Sequence, residues 1–342
     1  MSKKLRVLSI IAASTLVAGV AIAPAANAGT KQKVCVALDT GGINDKSFNQ
    51  LSYEGAKISK TKGWASSVEY LPAGASYDAN VKKFVDKGCT LIIVIGYLLG
   101  DAITASAKAN PGIKYAIVDG SSGGANLKGL TFNTNENSFL AGYMAAGYTK
   151  TGVVATYGGA PIPPVTIFMD GFAKGVKYYN DVKGKSVKVL GWDINNPNGG
   201  TFVGNFADQV KAKELSVAFE AQKADIIFPV GGSLVVGTVE NSLKSKKSIA
   251  LWVDADAHLA APKYDSVIMI SVLKGLSEGV QAVVKEAYDG KFTNAPYVGN
   301  LKNKGVGLSP IYGKYKTSIP ASLQKEVNNL AKDIADGWVP AK

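Results

Sequence analysis

Three residue types are nearly absent from this chain. Its 342 residues include one histidine, His258, two cysteines, Cys35 and Cys89, and one arginine, Arg6. One imidazole and two thiols are too few for a zinc cluster, an iron–sulfur frame or chemistry that needs two imidazoles. The scarcity of arginine limits what the formal charge of +12 means. Every cation after Arg6 is a lysine, whereas arginine is the bidentate reader of phosphate, carboxylate and guanine. A folded region without arginine is a poor reader of specific DNA and a poor clamp for an anion, so no nucleic-acid partner is expected. Walker A and G-x-G-x-x-G loops are also missing. The stretch Asp193–Gly199 has a superficial calcium-loop look, but Pro197 occupies a ligand position and the spacing fails. No metal and no cofactor are expected. His258 is the one residue that could serve a Ser–His–Asp arrangement, and the expectation is a protein that is not an enzyme.

The hydrophobic share of 46% and charged share of 19% are those of a globular chain. At about 150 residues per domain, the length suggests two domains, each with its own core. The first 28 residues read as an address. Lys3, Lys4 and Arg6 precede an apolar run from Val7 to Ile22, and Ala26-Asn27-Ala28 makes an A-x-A cleavage pattern. Cleavage after Ala28 removes three cations and leaves about +9. No cysteine stands at the cleavage point for lipid attachment. The expected product is exported by a Sec-type signal to the periplasm or the outer face of the cytoplasmic membrane. Export permits a disulfide. Cys35 begins a strand at Val34–Leu38 and Cys89 precedes one at Thr90–Ile95. If those strands are parallel neighbours, the sulfurs meet; otherwise they are two buried small hydrophobes.

Short apolar runs alternate with helical stretches along the chain. Strands are expected at Val34–Leu38, Val68–Leu71, Leu91–Ile95, Tyr115–Val118 and Leu130–Phe132. A second series follows at Val153–Tyr157, Val187–Leu190, Asp225–Val230, Ile249–Val253 and Val267–Ser271. Asp78 is the expected cap of a short helix after the second strand. Near the end, Leu323, Val327, Leu330 and Ile334 make one apolar helix face. The alternation predicts an α/β protein of two doubly wound parallel-sheet lobes. The expected lobes are 29–132 with 258–298, and 133–257 with 299–342.

Ligands in open parallel sheets bind beyond the carboxyl ends of the strands. Those ends carry carboxylates or glycines: Asp39, Gly96-Tyr97, Asp119, Gly158-Gly159, Gly231-Gly232 and Asp254-Ala255-Asp256. Glycine lets backbone approach a ligand, and carboxylates accept hydroxyl hydrogen bonds. Such a cleft suits a neutral ligand with several hydroxyls, a sugar or a nucleoside, and repels a phosphate.

The run Asp39-Thr40-Gly41-Gly42-Ile43-Asn44-Asp45-Lys46-Ser47-Phe48-Asn49 resembles the opening motif of the basic membrane protein, or PnrA-like, family of ABC-transporter substrate-binding proteins. Further likenesses lie at Ile162-Pro163-Pro164-Val165 through Asp170-Gly171-Phe172, at Ala224–Ile227, at Asp254–Asp256 and at Ser271–Lys274. The segment Val230-Gly231-Gly232-Ser233 matches only in its glycines, and the lipobox cysteine of most relatives is missing. The resemblance implies a type I periplasmic-binding-protein fold, hinged crossovers, a purine nucleoside as ligand and an ABC permease as partner of a monomer.

The candidate ligand residues each carry a competing structural role. Phe48 is a stacking surface for a base or a core aromatic. Asn44 and Asp45 suit base edges, yet Asp45 equally suits a helix cap. Asn49 completes that motif. Asp39 binds ligand or braces its loop, and Asp119 is a strand-end carboxylate that fits the family pattern. Asp254 and Asp256 suit a ribose diol, or a hinge turn. Lys274 contacts ligand, pairs with a carboxylate or is solvated. Tyr97, Phe168, Phe172 and Trp192 lie near strand ends or helix starts and divide between cleft and core. Gly231 and Gly232 offer backbone. Three readings follow: a nucleoside receptor, a sugar or autoinducer receptor of the same fold, and an exported nucleoside hydrolase.

Overall fold

The computed structural model describes residues 29–74, 76–196 and 199–341. The expected signal segment, 1–28, and Pro197 lie outside them. Among the described residues, twelve strands form two sheets. In the first are β1 (Gln32–Ala37), β2 (Ala65–Leu71), β3 (Leu91–Ile95), β4 (Lys114–Val118) and β5 (Leu127–Phe132). In the second are β6 (Val153–Gly158), β7 (Lys188–Leu190), β8 (Ile226–Val230), β9 (Ile249–Asp254) and β10 (Ile268–Lys274). Two short strands complete them, β11 (Tyr297–Gly299) and β12 (Val306–Leu308). The orders are β11-β5-β4-β3-β1-β2 and β12-β10-β9-β8-β6-β7. The two sheets thus follow the same plan. They differ at the last strand: β11 lies parallel to β5, and β12 antiparallel to β10.

The central strands are apolar throughout because both faces are covered. All five residues of β3, Leu-Ile-Ile-Val-Ile, are buried. One face carries Val34, Val36, Leu91 and Ile93 onto Val280, Val283 and Val284 of the helix Leu276–Tyr288. The other carries Cys35, Ile92 and Val94 onto Phe84 and Ile103. Cys35 and Cys89 are joined by a disulfide and are buried within that second layer. β8 contains Pro229, which has no N–H to give a ladder. Its pairing with β9 is accordingly confined to Ile226 and Ile227, ahead of the proline.

The chain passes between the sheets three times, at 133–152, 275–296 and 300–305. This moves a lobe boundary. The sequence reading put 258–298 with the first lobe, but β10 pairs in parallel with β9, Ser271 opposite Trp252. The change of sheet comes after Lys274. The apolar pattern of a strand reports burial on its faces and carries no label for the sheet it joins. β11 and β12, three residues each, were too short to show a period. The expected cap at Asp78 also shifts: Ser76 accepts the Ala79 N–H, and Asp78 sits in the first turn.

The first crossover helix, Thr134–Tyr148, is buried all round and packs on the helix Pro163–Lys183. Glycines set the closeness. A Cβ on Gly142 would lie 2.0 Å from the Phe172 carbonyl oxygen, and one on Gly175 2.0 Å from that of Phe139. The C-terminal helix, Ala321–Ala335, turns Leu323, Val327, Leu330 and Ile334 onto the same core. No helix among the described residues is long and apolar enough to cross a membrane.

Candidate ligand-binding cleft

The carboxyl ends of β1, β3 and β4 face those of β6, β8 and β9 across a cavity between the two sheets. The first lobe supplies Asp39, Phe48, Gly96, Tyr97 and Asp119. The second supplies Pro164, Phe168, Phe206, Gly231, Gly232 and Asp254. Lys274, the last residue of β10, stands where the chain crosses between them.

Lys274 organises the charges. Its Nζ donates to Asp119 Oδ2 at 2.6 Å, and the two side chains are 3% and 9% exposed. The same Nζ lies 5.1 Å from the Phe48 ring centre, 5.3 Å from Phe132 and 5.5 Å from Phe168. A buried ammonium is therefore shared between one carboxylate and three aromatic faces. Burial pushes the Asp119 carboxyl above its ordinary value, against the pull of Lys274. Burial likewise pushes Asp254 up to about 6, against Lys274 and a hydrogen bond from Ser47, with Asp119 and Asp45 adding repulsion.

Asp119 and Asp254 occupy equivalent places, at the ends of β4 and β9. Both have left-handed backbones, φ 62° and 65°. That conformation is strained for residues other than glycine and collects at functional sites. Ser47, at the start of the first-lobe helix Phe48–Thr61, lies with its Oγ 2.9 Å from Asp254 Oδ2 and 3.0 Å from the Val253 carbonyl. A first-lobe hydroxyl is thus bonded to a second-lobe strand end, and the lobes are closed upon each other at this point.

The other first-lobe residues divide between contact and support. Asp45 accepts the N–H groups of Ser47, Asn49 and Gln50 at 3.0, 2.8 and 3.1 Å. It is a helix cap whose carboxylate also borders the cavity. Burial raises its pKa while those three bonds oppose the shift. Asn49 ties the loop, donating to the Thr40 carbonyl and Asp45 and accepting the Asp39 N–H. Gly96 has φ 119°, and a Cβ there would lie 2.5 Å from Asp39 Oδ2. Only glycine leaves Asp39 its place.

Four expected residues stand elsewhere. Asn44 is exposed and outside the cavity. Phe172 is fully buried, 5.5 Å from Phe228 and under the crossover helix, because its helix needs that face for packing. Asp256 accepts the His258 N–H and the Tyr312 hydroxyl at 3.0 and 2.7 Å and borders a separate groove. Trp192 donates to Asp170 outside the cavity. Sequence reasoning missed Phe206. Its ring fills the space over Gly159 and Gly231, where a Cβ would come within 2.4 and 3.3 Å of it. The two glycine pairs were the signal that a ring sits there. The spacing Gly275-Leu276-Ser277-Glu278-Gly279 matches a nucleophile elbow. Ser277, however, lies in the first turn of a helix, accepts from Gln281, and His258 is engaged with Asp265.

Two sheets of one plan, joined by three passages around a cleft of opposed strand ends, make the type I periplasmic-binding-protein fold. Known structures agree in fold. An ABC-transporter solute-binding protein from Aeropyrum pernix K1 superposes with TM-score 0.78 at 23% identity, covering 90% of this chain and 92% of that one. A protein described as a transcriptional activator of the comK gene, from Bacillus halodurans, superposes with TM-score 0.72 at 20% identity, over 90% and 98% of the two chains. The family model described as ABC transporter substrate-binding protein, PnrA-like, matches residues 31–337, and the chain belongs to that family. Among similar proteins are the ABC transporter nucleoside-binding protein BmpA of Lactococcus lactis, 30% identical over 92% of this chain and 90% of that one. Basic membrane protein A of Borreliella burgdorferi is 30% identical over 88% and 85%. The protein is thus an ABC-transporter substrate-binding protein, of a family that works outside the cytoplasmic membrane and hands a small molecule to a permease.

Proposed function

We propose that the ligand is a purine nucleoside, held in the closed cleft and delivered unchanged to an importer. The observation that carries this reading is the combination in one cavity of aromatic faces with carboxylates. Phe48 and Phe168 stand beside Lys274 and supply surfaces on which a base can stack. Base–aromatic stacking contributes about 1–3 kcal/mol. Asp39, Asp119 and Asp254 supply acceptors for ring N–H groups and vicinal hydroxyls. Among the described residues that line the cavity, a single cation, Lys274, stands against these carboxylates, so a phosphate on the ligand meets net repulsion. The name of the Lactococcus lactis relative agrees with a nucleoside.

Binding favours closure because only the closed state offers the groups of both lobes. The proposal includes export by cleavage after Ala28, no lipid attachment through an N-terminal cysteine, and a monomer as the acting form. The test is a thermal-shift and calorimetry panel of inosine, guanosine, adenosine, ribose, glucose and adenosine monophosphate. A ligand at 100 times its dissociation constant stabilises by about 2.7 kcal/mol. Nucleosides should raise the melting temperature while ribose and the monophosphate do not. Stabilisation by a sugar and by no nucleoside overturns the reading, and so does release of free base during incubation.

A further inference from the structure

Asp39 is a cleft carboxylate whose two oxygens are treated differently. Oδ1 accepts the Thr40 N–H at 2.6 Å and the Tyr77 hydroxyl at 2.5 Å. Oδ2 accepts no hydrogen bond among the described residues and lies over Gly96, whose missing side chain leaves it room. Asp39 borders the cavity, and Tyr77 does not. Tyr77 opens the helix Tyr77–Asp86, which rests on the outer layer of the first sheet, and its ring packs with the buried cluster around Phe84. Its hydroxyl therefore reaches Asp39 from behind, from an element that takes no part in the cleft wall.

We propose that Tyr77 is a positioning residue, which saturates Oδ1 of Asp39 so that Oδ2 alone is presented to a hydrogen-bond donor of the ligand. This rests on the reading of the cleft as the ligand site. A free carboxylate rotates about its last torsion and offers either oxygen to water or ligand. With Oδ1 held by two donors, the group acts as a single directed acceptor, and the ordering cost falls on folding instead of on binding. Tyr77 remains a donor across the working range, since burial and the Asp39 charge both push its hydroxyl pKa upward. Its hydrogen bond also works against the burial that raises the Asp39 pKa, which helps keep the acceptor ionised. Asp45, Asp119, Asp254 and Lys274 border the same cavity from other strand ends, so a pH profile must be compared between variants and not read alone. The ligand chemistry this selects is a ring or exocyclic N–H, or a hydroxyl, aimed at Oδ2.

The test uses the mature protein and four forms: the wild type, Tyr77→Phe, Asp39→Ala and the double variant. Phenylalanine keeps the packed ring and removes only the donor. Inosine affinity is measured by calorimetry over a range of pH, and the Asp39 carboxyl is followed by carbon NMR in the unliganded protein. Tyr77→Phe is expected to weaken inosine binding about tenfold, the equivalent of one charge-assisted hydrogen bond. The Asp39 titration should move upward in that variant, and the loss of affinity on acidification should begin at higher pH. In the Asp39→Ala background, Tyr77→Phe should add nothing, because no carboxylate remains to be held. Additive losses, or an Asp39 titration that does not move, overturn the proposal. If inosine fails to bind the wild type, the nucleoside reading falls, and the carboxyl titration still decides the role of Tyr77.

Discussion

Replacing Lys274 by methionine is the most direct probe of the cleft's electrostatics. Lys274 and Asp119 form a nearly sealed pair 2.6 Å apart. Removing one partner leaves the other carrying an uncompensated charge in a dry site, at a cost of about 3–5 kcal/mol. Methionine replaces most of the lysine stem with flexible apolar bulk, so cavity formation adds little. Asp254 loses the same counter-charge, because Lys274 opposes its burial. Urea titration at about pH 7.5 should therefore show Lys274→Met less stable by about 3–5 kcal/mol. The loss should depend on pH in a definite direction. Burial already places both carboxyls above their unfolded values, and removing the lysine moves them higher. A carboxyl with a raised folded pKa disfavours the folded state when ionised, and that cost fades as pH falls through the folded value. With Asp254 at about 6 even in the presence of Lys274, the deficit should shrink towards about pH 5. Adding Asp119→Asn should recover most of the stability near neutrality. A loss of less than about 1 kcal/mol, the size of an exposed pair, would refute the reasoning, as would a loss independent of pH or a double variant no better than the single.

The disulfide closes a loop of 54 residues, for which chain entropy predicts about 4 kcal/mol of stabilisation. Cys35→Ser with Cys89→Ser should lower the urea midpoint accordingly while leaving ligand affinity unchanged, since neither sulfur borders the cleft. Phe48→Ala should weaken nucleoside binding by about 1–3 kcal/mol in calorimetry, and an equal loss for a plain sugar would remove the stacking role. Asp254→Asn should abolish the part of the unliganded protein's stability that is gained as pH falls through about 6; curves of wild type and variant that run parallel between neutrality and acid contradict the assignment.

Much of this was readable in the residues. A strand such as β3, five apolar residues bounded by Thr90 and Gly96, is recognisable because both its faces are covered and no alternation is needed. Strand ends are readable too, since Asp119, Asp254 and Lys274 are polar residues placed directly after or at the end of apolar runs. What was missed depended on partners far away in the chain. Asp256 looked equivalent to Asp254 until Tyr312, 56 residues on, took its carboxylate. Phe172 looked like a cleft aromatic until Gly142 and Gly175 brought its helix against the crossover helix. Tyr77 carried no motif, because its importance lies in a contact with Asp39, 38 positions earlier. Helix periodicity reports which face is buried and says nothing about which hydroxyl ends up behind a carboxylate.

The route of the chain sets a limit on dissection. The last strand of each sheet is drawn from the C-terminal quarter, β11 for one and β12 for the other. A fragment long enough to contain every strand of the first sheet already includes five strands of the second, and one stopping before β11 leaves both sheets with an open edge. No single cut releases the first half intact, and a cut between β5 and β6 keeps all six strands of the second sheet but leaves β11 without its partner. Separate expression of the first half therefore requires rejoining β11 to β5 in a new order.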